Sequence, residues 1–346
     1  MPPPVLPESL PFQVMRRTWQ PVARVYDLAP NKPTAVTLLG ETLVLVRMRD
    51  RILATQDACP HKGFKLSCGY VQGGDLVCAY HGWRFNADGG CAGVPSLPNP
   101  PESLLKRAAL DTYAVQERYG LVWVRLDPNE IAPLPDIPAF GEQPGWQLEV
   151  PPPMHFACGF RREIENYVDM THFAFAHRTT LGAAADTVLP DLEITRHADG
   201  FEMNAPFPAL STGDSAPSKL QSAHHRQQRC YLPNFTTIKQ TFEDGDERML
   251  LHVPSPITET SCNVFWLIAQ PENFRGPELG HQVDFSTKVL EEDRLMCEQQ
   301  VPAEVPLNPS RGGWGVLVSP GDTLANTFQK SFRDFLIQHQ SAPIAA

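Results

Sequence analysis

Two short segments that each contain one cysteine and one histidine constrain this chain more than any other feature. The first has the form Cys-x-His, from Cys59 to His61, and the second has the form Cys-x-x-His, from Cys78 to His81. A glycine follows each segment within two residues, and glycine permits the tight turns that such loops need. The pattern therefore predicts two loops, each presenting one thiolate and one imidazole toward a common point.

Two cysteines and two histidines suit a [2Fe–2S] centre in which the thiolates hold one iron and the imidazoles hold the other. The alternative is a structural zinc site, but such sites usually pair Cys with Cys and His with His at a spacing of about two to five residues. Here each loop mixes the two types, and one residue separates Cys59 from His61. The spacing favours the iron–sulfur centre. The nearby Cys68 and Cys91 lie outside the motif and are predicted to be small buried residues.

A second group of candidate ligands lies at residues 166–177. Asp169 and His172 are three residues apart, so on a helix they share a face and can form a hydrogen bond. His172 and His177 are five residues apart, which places them about 140° apart around a regular helix. They can meet at one metal ion only if the helix ends or bulges between them.

A third ligand is expected from a predicted helix near residue 290. Asp293 falls on the apolar stripe of Phe285, Val289 and Met296, whereas its neighbour Glu292 has a freer route to solvent. A buried carboxylate needs a partner, and a metal ion would provide one. The alternative is a surface acid paired with a base of the same helix. Two histidines and one carboxylate form the facial triad of non-haem Fe(II) oxygenases, which leaves coordination positions open for O₂ and substrate.

At these residues the chain resembles the Rieske non-haem iron oxygenases. Their cluster loops have the forms C-x-H and C-x-x-H, and their catalytic domain carries N-x-x-D-x-x-H-x-x-x-x-H. The second motif is reproduced by Asn166, Asp169, His172 and His177, and the Glu-Asp-Arg run around Asp293 matches a downstream motif of the family. The similarity covers almost the whole chain. It looks most like oxygenases built from α subunits alone, including N- and O-demethylases and monohydroxylases, in particular methylxanthine N-demethylases and guanidinium-alkaloid hydroxylases.

The resemblance implies an α+β fold, with an N-terminal all-β Rieske [2Fe–2S] domain followed by a helix-grip catalytic domain, an antiparallel sheet with helices. Strand-like runs between residues 22 and 57 and apolar helical stripes at 282–299 and 322–338 agree with this order. The polar stretch 211–229 is predicted to be a mobile surface loop. The expected organisation is a disordered tail at 1–14, the Rieske domain at 15–127, a proline-rich linker at 128–145 and the catalytic domain at 146–346.

The resemblance also implies roles for single residues. Cys59 and Cys78 would hold one cluster iron and His61 and His81 the other. The mononuclear Fe(II) would be held by His172, His177 and Asp293. Asp169 would link His172 to His81 of the partner subunit, which requires a head-to-tail ring, here expected to be a homotrimer. Asn166 would lie near the iron without binding it, with a purely structural role in its helix as the alternative.

The implied activity is that of a terminal oxygenase. It would use O₂ to hydroxylate, or oxidatively N- or O-demethylate, a small aromatic or heterocyclic substrate, as in aromatic catabolism. The alternatives are a cis-dihydroxylating ring dioxygenase and an electron carrier with a Rieske centre alone. Candidate substrate-binding residues are Phe175, Leu181, Asn234, Ile238 and Trp266.

The electron supply is expected to come from outside the chain. No G-x-G-x-x-G follows a predicted strand, and no four-cysteine ferredoxin run is present. NAD(P)H would therefore act through a separate reductase, with or without a ferredoxin. Lys62, Lys65 and Arg84 flank the cluster loops and are candidate docking contacts, with a purely solvated role as the alternative.

The composition argues against several other classes of protein. The formal charge of −10 argues against a nucleic-acid surface and favours a small uncharged or cationic substrate over a polyanion. No run of 18 apolar residues is present, so no membrane-spanning helix is predicted. The eight cysteines are irregularly spaced and the N-terminus lacks the pattern of an export signal. These features favour a cytoplasmic protein without disulfides.

Overall fold

The structure of the chain is a computed structural model that describes residues 6–141, 143–181, 187–189, 191–206, 223–308 and 319–340. These residues form two compact units, one of residues 15–133 and one that combines 6–14 with 134–340. No helix in the described ranges has the length and hydropathy needed to cross a lipid bilayer.

The unit of residues 15–133 consists mainly of short antiparallel strands in three sheets, ordered β1-β10-β9, β2-β3-β4 and β5-β6-β7-β8. The strand-like runs predicted between residues 22 and 57 include β2, β3 and β4, which pair consecutively as a meander. Residues 43–46 of β3 are all buried, as expected for a strand covered on both faces. The strands are β1 Gln20–Arg24, β2 Thr34–Leu38, β3 Glu41–Met48, β4 Arg51–Gln56, β5 Tyr70–Gln72, β6 Asp75–Val77, β7 Arg84–Phe85, β8 Cys91–Gly93, β9 Ala114–Arg118 and β10 Leu121–Arg125.

The other unit is built on one eight-stranded antiparallel sheet, ordered β11-β18-β17-β16-β15-β14-β13, with β12 also paired to β18. This sheet confirms the α+β architecture with an antiparallel catalytic sheet. Its strands are β11 Trp146–Glu149, β12 Met154–Phe156, β13 Glu193–His197, β14 Gly200–Pro206, β15 Ala223–Tyr231, β16 Phe235–Phe242, β17 Glu247–Thr258 and β18 Ser261–Pro271. The α-helices of the described residues are α1 Leu10–Met15, α2 Glu102–Arg107, α3 Phe160–Val168, α4 Phe173–Ala176, α5 Leu279–Glu298 and α6 Thr323–His339.

Helix α5 buries one face against the sheet. Leu279 and Leu290 pack in one apolar cluster with Trp266 and Ile268 of β18. Asp293 lies on this buried face, as predicted. The predicted stripe is wrong at Met296, which is 47% exposed; the buried face continues at Cys297 instead, because a turn of 3.6 residues carries it one position further.

Helix α6 confirms its predicted apolar stripe. Its core-facing side chains are all buried: Leu324, Phe328, Phe332, Phe335 and Leu336. The helix packs against α3 and β14. These contacts hold α3, which leads into the histidine segment, close to the sheet.

Three segments differ from the expectations drawn from composition. In the expected N-terminal tail, residues 10–15 are helical. Leu6 has an apolar side chain, which is buried, and its backbone amide donates to Asn308 Oδ1 at 2.8 Å. Of the expected loop 211–229, residues 223–229 belong to β15; their alternating burial is that of a strand, and residues 211–222 lie outside the described ranges. In the expected linker, Pro138–Phe140 form a 3₁₀ turn with Phe140 buried.

Candidate metal centres and substrate pocket

The two cluster loops have the same local construction. The amide of Cys59 donates to Phe64 O (2.8 Å), five residues on, and the amide of Cys78 donates to Trp83 O (2.9 Å), again five residues on. The carbonyl of each cysteine accepts an N–H from the glycine four residues later. Both glycines, Gly63 and Gly82, have φ near +70°, a backbone region that other residues rarely adopt. Each loop therefore closes tightly behind its cysteine.

The loops bring the four predicted cluster ligands together. Cys59 and Cys78 are each 2% exposed, and the rings of His61 and His81 lie 4.6 Å apart. The ring of His61 stacks on Trp83 at 4.5 Å, and His61 Nδ1 is buried with no hydrogen-bond partner among the described residues. Burial raises the pKa of Cys59 to about 11. A buried thiol pair and an unpartnered imidazole nitrogen are what an iron–sulfur cluster would satisfy.

The zinc alternative fits the loops less well. Tetrahedral zinc would require its donor atoms to lie about 3.5 Å apart. The described part of the chain has one group of three metal-binding side chains whose donor atoms all lie within 4.8 Å of one another. It consists of His172, His177 and Asp293, which lie outside the two loops. Among the described residues, the four loop side chains do not form so tight a group. Outside the motif, Cys91 is buried as expected, but Cys68 is exposed.

The histidine segment starts where α3 ends. Asp169 follows the last helical residue with an extended backbone, φ −70° and ψ 147°. Its carboxylate accepts the backbone N–H groups of Thr171 and His172, both at 3.0 Å. This turn lets the chain restart in the single turn α4, with His172 before it and His177 after it. Helix α3 therefore ends before His172, and α4 ends at Ala176, so the helical backbone also ends between the two histidines, as the spacing predicted.

The two histidines and Asp293 converge on one point. His172 Nε2 lies 3.1 Å from His177 Nε2, and Asp293 Oδ1 lies 3.4 Å and 3.1 Å from these two atoms. The Nδ1 atoms point away, to Asp169 Oδ2 and Glu292 Oε2, each at 2.8 Å. Because the carboxylates accept the Nδ1–H groups, the Nε2 lone pairs face each other and Asp293. Three such acceptors repel one another unless a cation lies between them, so this donor set fits a divalent metal ion.

The electrostatics of the triad agree with a cation site. Asp293 is 7% exposed; burial alone would raise its pKa, but contacts with His172 and His177 hold that pKa well below its usual range. For His172, burial opposes the charged form, yet Asp169 and Asp293 raise its pKa to about 9. Asn166 Nδ2 donates to Asp293 Oδ1 at 2.7 Å.

The alternative of a surface acid paired with a base does not hold for Asp293. The neighbouring Arg294 pairs with Glu291 and Glu298 instead. Glu292 was expected to reach solvent, but it orients His177 and also accepts the hydroxyls of Thr179 (2.6 Å) and Thr180 (2.5 Å). Sequence analysis missed Glu292 because only the folded chain brings residues 177–180 to α5.

A pocket adjoins the triad between α5 and the sheet. Of the predicted substrate residues, Leu181, Ile238 and Trp266 line it. Phe175 does not: it is 66% exposed, because α4 turns Phe173 toward the pocket instead. The prediction that Asn234 lines the pocket is also wrong. Asn234 is buried, and its side-chain amide donates to Pro254 O at 2.7 Å. The lining residues that sequence analysis missed include Tyr167, Arg226, Gln240, Arg248 and His252.

Comparison with known proteins agrees with this pair of centres. Residues 18–114 match the family model of the Rieske [2Fe-2S] domain, and residues 156–332 match the vanillate O-demethylase oxygenase C-terminal domain. The chain is 31% identical to methylxanthine N3-demethylase NdmB of Pseudomonas putida, over 84% of this chain and 83% of the relative. It is 34% identical to the vanillate O-demethylase oxygenase subunit of Pseudomonas sp. strain HR199, over 81% of this chain and 84% of the relative. The structure of NdmA from Pseudomonas putida CBB5 with caffeine aligns with a TM-score of 0.83 and 28% identity, over 96% of this chain and 94% of that one.

Fold, cluster loops and facial triad together define an oxygenase with two iron centres. The chain belongs to the Rieske non-haem iron oxygenases, with a catalytic domain of the vanillate O-demethylase type. It is the terminal oxygenase component of a multicomponent system, close to N- and O-demethylases and monooxygenases, and it requires a reductase.

Proposed function

We propose that this oxygenase monooxygenates a small aromatic or heterocyclic compound, by hydroxylation or by oxidative N- or O-demethylation. The observation that carries the proposal is the position of the three converging donors, His172, His177 and Asp293, at the wall of a pocket. Its lining includes aliphatic and aromatic side chains, among them Phe173, Leu181, Ile238 and Trp266. Relatives that match more than four fifths of the chain are named as methylxanthine N-demethylases and a vanillate O-demethylase oxygenase subunit.

The residues of the triad would hold the mononuclear iron in this pocket. When bound, the iron supplies O₂ activation and the [2Fe–2S] cluster supplies electrons. Asp169 and Glu292 keep both imidazoles in the tautomer whose Nε2 is free to bind. Asn166 restrains the Asp293 carboxylate by donating to Oδ1, which leaves Asn166 beside the metal without binding it.

The cluster would be held by Cys59 and Cys78 on one iron and by His61 and His81 on the other. Burial and the tight loop closures keep water away from the sulfurs. His81 is the histidine through which electrons would leave toward the catalytic centre. This role is supported by exposure, because His81 is exposed whereas the half-buried His61 stacks on Trp83.

We also propose that Asp169 connects centres of neighbouring subunits in a head-to-tail homotrimer. Its side chain is 21% exposed although it accepts hydrogen bonds from Thr171 and His172. One carboxylate oxygen thus contacts the metal-binding histidine while part of the group stays accessible to His81 of the partner subunit. NAD(P)H would supply electrons through the reductase, with or without a ferredoxin.

Oxygen uptake with defined products tests the proposal. The purified oxygenase, with a matched reductase and NADH, is incubated with methylated and unmethylated aromatics and heterocycles. Formaldehyde release or a product with one new hydroxyl group, in proportion to O₂ consumed, is the expected result. A cis-dihydrodiol that contains both oxygen atoms of ¹⁸O₂ would show a ring dioxygenase instead. Cluster reduction without any substrate-dependent O₂ uptake would leave only an electron carrier.

A further inference from the structure

A carboxyl group and an imidazole that the iron centres do not use form a buried pair beside the pocket. Glu163 Oε1 and His252 Nε2 share a hydrogen bond, and each side chain is 2% exposed. Glu163 belongs to α3 and His252 belongs to β17, so the pair joins this helix to the sheet. Of the two, His252 is among the described residues that line the pocket and Glu163 is not. The carboxyl group therefore lies behind the ring.

Helix α3 holds the ring of His252 in two ways. Glu163 and Tyr167 are four residues apart, so they share one face of this helix. The ring of Tyr167 stacks on that of His252, with 3.6 Å between the centroids and 12° between the planes. Stacking fixes the plane of the imidazole, and the hydrogen bond from Nε2 to Glu163 fixes its rotation within that plane. The helix therefore determines the direction in which the other ring nitrogen, Nδ1, points.

The Nδ1 atom of His252 faces the cavity. In the described part of the chain it has no hydrogen-bond partner, yet protein atoms do not enclose it completely. Because His252 lines the pocket, the open side of Nδ1 is the pocket itself. The iron-binding side chains His172, His177 and Asp293 line the same cavity. A proton on Nδ1 can therefore pass to a molecule bound beside the triad.

Burial determines how many protons the pair carries. With two protons the pair is neutral overall, either as imidazolium with carboxylate or as imidazole with carboxylic acid, and both forms have a proton on Nδ1. With one proton the pair has a net negative charge, which burial disfavours. Burial raises the pKa of Glu163; contact with His252 opposes this effect, and the nearby Cys158 and Asp293 reinforce it. The resting pair is therefore expected to carry a proton on Nδ1.

The Glu163 carboxyl group is not fully satisfied by its structural contacts. Its Oε2 atom is buried and has no hydrogen-bond partner in the described ranges. Such an oxygen is unfavourable in a protein interior, and well-packed apolar side chains in place of a buried charged pair are often as stable or more so. A role in proton transfer gives a reason to keep the pair at this position.

The other titratable groups of the pocket are less suited to releasing a proton. Apart from the triad, the described lining residues that carry such groups are Tyr167, Arg226, Arg248 and His252. Burial lowers the pKa of both arginines, but only to about 10, so they keep their protons at neutral pH. Burial raises the pKa of Tyr167, so its hydroxyl also keeps its proton. Histidine is the side chain that ordinarily exchanges a proton between about pH 5 and 8.

We propose that the Glu163–His252 pair stores a proton and that His252 Nδ1 donates it into the pocket when O₂ is reduced at the triad. The inference rests on the proposed function, because it requires O₂ reduction in this pocket. Monooxygenation takes up two electrons and two protons for each O₂, and one oxygen atom leaves as water. The reductase supplies the electrons, the pair supplies one proton and solvent supplies the other.

The transfer changes bonds only at Nδ1 and at the acceptor. The Nδ1–H bond breaks, and an O–H bond forms on an oxygen atom derived from O₂. The second proton of the pair stays between Nε2 and Glu163, and solvent later returns a proton to the ring. His252 is thus the proton donor, and Glu163 is a positioning residue that acts through it.

The protonation of His252 can be measured without turnover. Solid-state ¹⁵N NMR of the holoenzyme, labelled at its histidines, distinguishes protonated from unprotonated ring nitrogens, and His252→Gln identifies the signals of His252. Near neutral pH we expect a protonated Nδ1 in the wild type. In Glu163→Gln the neutral amide should leave the ring with a single proton, at Nε2. A wild-type Nδ1 that carries no proton, or one that keeps its proton in Glu163→Gln, overturns the proposal.

Glu165→Gln is the matched control for this measurement. Glu165 lies on the same helix, but it pairs with Arg162 and Gln329. The signals of His252 in Glu165→Gln should match those of the wild type. Equal loss of the Nδ1 proton in both variants would show a general effect of charge on α3, and the specific role of Glu163 would be wrong.

Stopped-flow reoxidation tests the donation step itself. Prereduced holoenzyme is mixed with O₂ and either 4-methoxyphenol or 1-methylindole, in H₂O and in D₂O, and rates are compared at equal iron content. Reoxidation of Glu163→Gln should be about ten- to hundredfold slower than that of the wild type, and D₂O should slow it more. Glu165→Gln should behave as the wild type does. An unchanged rate and an unchanged isotope effect in Glu163→Gln contradict the proposal.

The two measurements separate this inference from the proposed function. If Glu163→Gln does not fold, the ¹⁵N spectrum of the wild type decides. A protonated Nδ1 in a wild type that shows no substrate-dependent reoxidation counts against the proposed function alone. Oxygenation by a wild type whose Nδ1 carries no proton counts against this inference alone.

Discussion

Glu292 and Asp293 contact opposite nitrogens of one imidazole ring: Glu292 Oε2 lies 2.8 Å from His177 Nδ1, and Asp293 Oδ1 lies 3.1 Å from His177 Nε2. Adjacent residues on a helix point about 100° apart, so the ring of His177 fits between the two side chains. One carboxylate orients the ring and the other faces the metal-binding nitrogen.

Replacing Glu292 should weaken iron binding at the triad. In Glu292→Gln, the neutral amide is a weaker acceptor for the Nδ1–H of His177 than the charged carboxylate. The affinity of the triad for iron should therefore fall by about ten- to hundredfold. Iron per acid-labile sulfide after dialysis against a chelator measures the loss, since the sulfide counts the clusters. Glu291→Gln is the control, because Glu291 pairs with Arg294 on the outer side of α5. Equal iron retention in all three proteins would show that Glu292 has no orienting role.

Replacing Asp169 should uncouple the two centres while both keep their metals. The asparagine oxygen still accepts an N–H of the turn at Thr171 and His172, but the charge that would connect His172 to His81 of the partner subunit is gone. Turnover should fall by about ten- to hundredfold, and a prereduced cluster should reoxidise slowly in a single turnover. Asp284→Asn, at an exposed position of α5, controls for the change in net charge. Full turnover by Asp169→Asn would contradict the bridging role.

Replacing a cluster histidine by cysteine should change the potential of the cluster. In His81→Cys, a thiolate adds negative charge to the iron that neutral imidazoles would hold, so the reduction potential should fall by on the order of 200 mV or more. A redox titration followed by electron paramagnetic resonance measures the shift. Cys68→Ser, at the exposed cysteine outside the motif, should leave the potential unchanged. A potential that stays the same in His81→Cys means that His81 is not a ligand.

Glu304 should make the stability of the catalytic unit depend on pH. Burial raises its pKa from 4.5 to about 7, although Arg161 partly offsets the effect. The folded state therefore holds this proton more tightly than the unfolded state, and stability falls by roughly 2–3 kcal/mol as pH rises from about 4.5 to about 7. Glu304→Gln removes this contribution, so its melting temperature relative to wild type should rise between pH 5 and pH 8.

The control for this pH effect is Glu193→Gln, at an exposed position of β13. Its melting temperature should follow that of the wild type at both pH values. A constant difference between Glu304→Gln and wild type, or one that moves in the opposite direction, would show that Glu304 does not hold a proton in the folded state.

The features of the site that could be predicted are those that depend on the spacing of residues close together in sequence. Helical periodicity placed Asp293 on a buried face, and the two loops could be predicted because each ligand pair is separated by one or two residues. The contact between Asp169 and His172 was also expected from a spacing of three. It forms through a turn rather than on a helix, because the carboxylate of Asp169 accepts backbone N–H groups that a continuing helix would have used.

The remaining parts depend on contacts between elements far apart in sequence. Glu292 meets His177 and Thr180 only when α5 packs beside α4, across more than a hundred residues. The pocket-lining positions of Arg226, Gln240 and Arg248 depend on strand register, and a shift of one residue would turn all three side chains to the other face. The prediction that Phe175 lines the pocket is wrong, because periodicity cannot set the starting phase of a helix with a single turn.

The position of Glu292 and Asp293 on one continuous helix limits how the length of this chain can change. Inserting or deleting one residue within α5 before Glu292 would rotate both carboxylates by about 100° and shift them by about 1.5 Å. Glu292 would then no longer orient the ring of His177, and Asp293 would no longer face its metal-binding nitrogen. Such changes are tolerable only in the connections outside Leu279–Glu298, where the backbone can absorb an added residue. We therefore expect homologous or engineered chains that keep this chemistry to differ in loop length while the spacing within the helix stays constant.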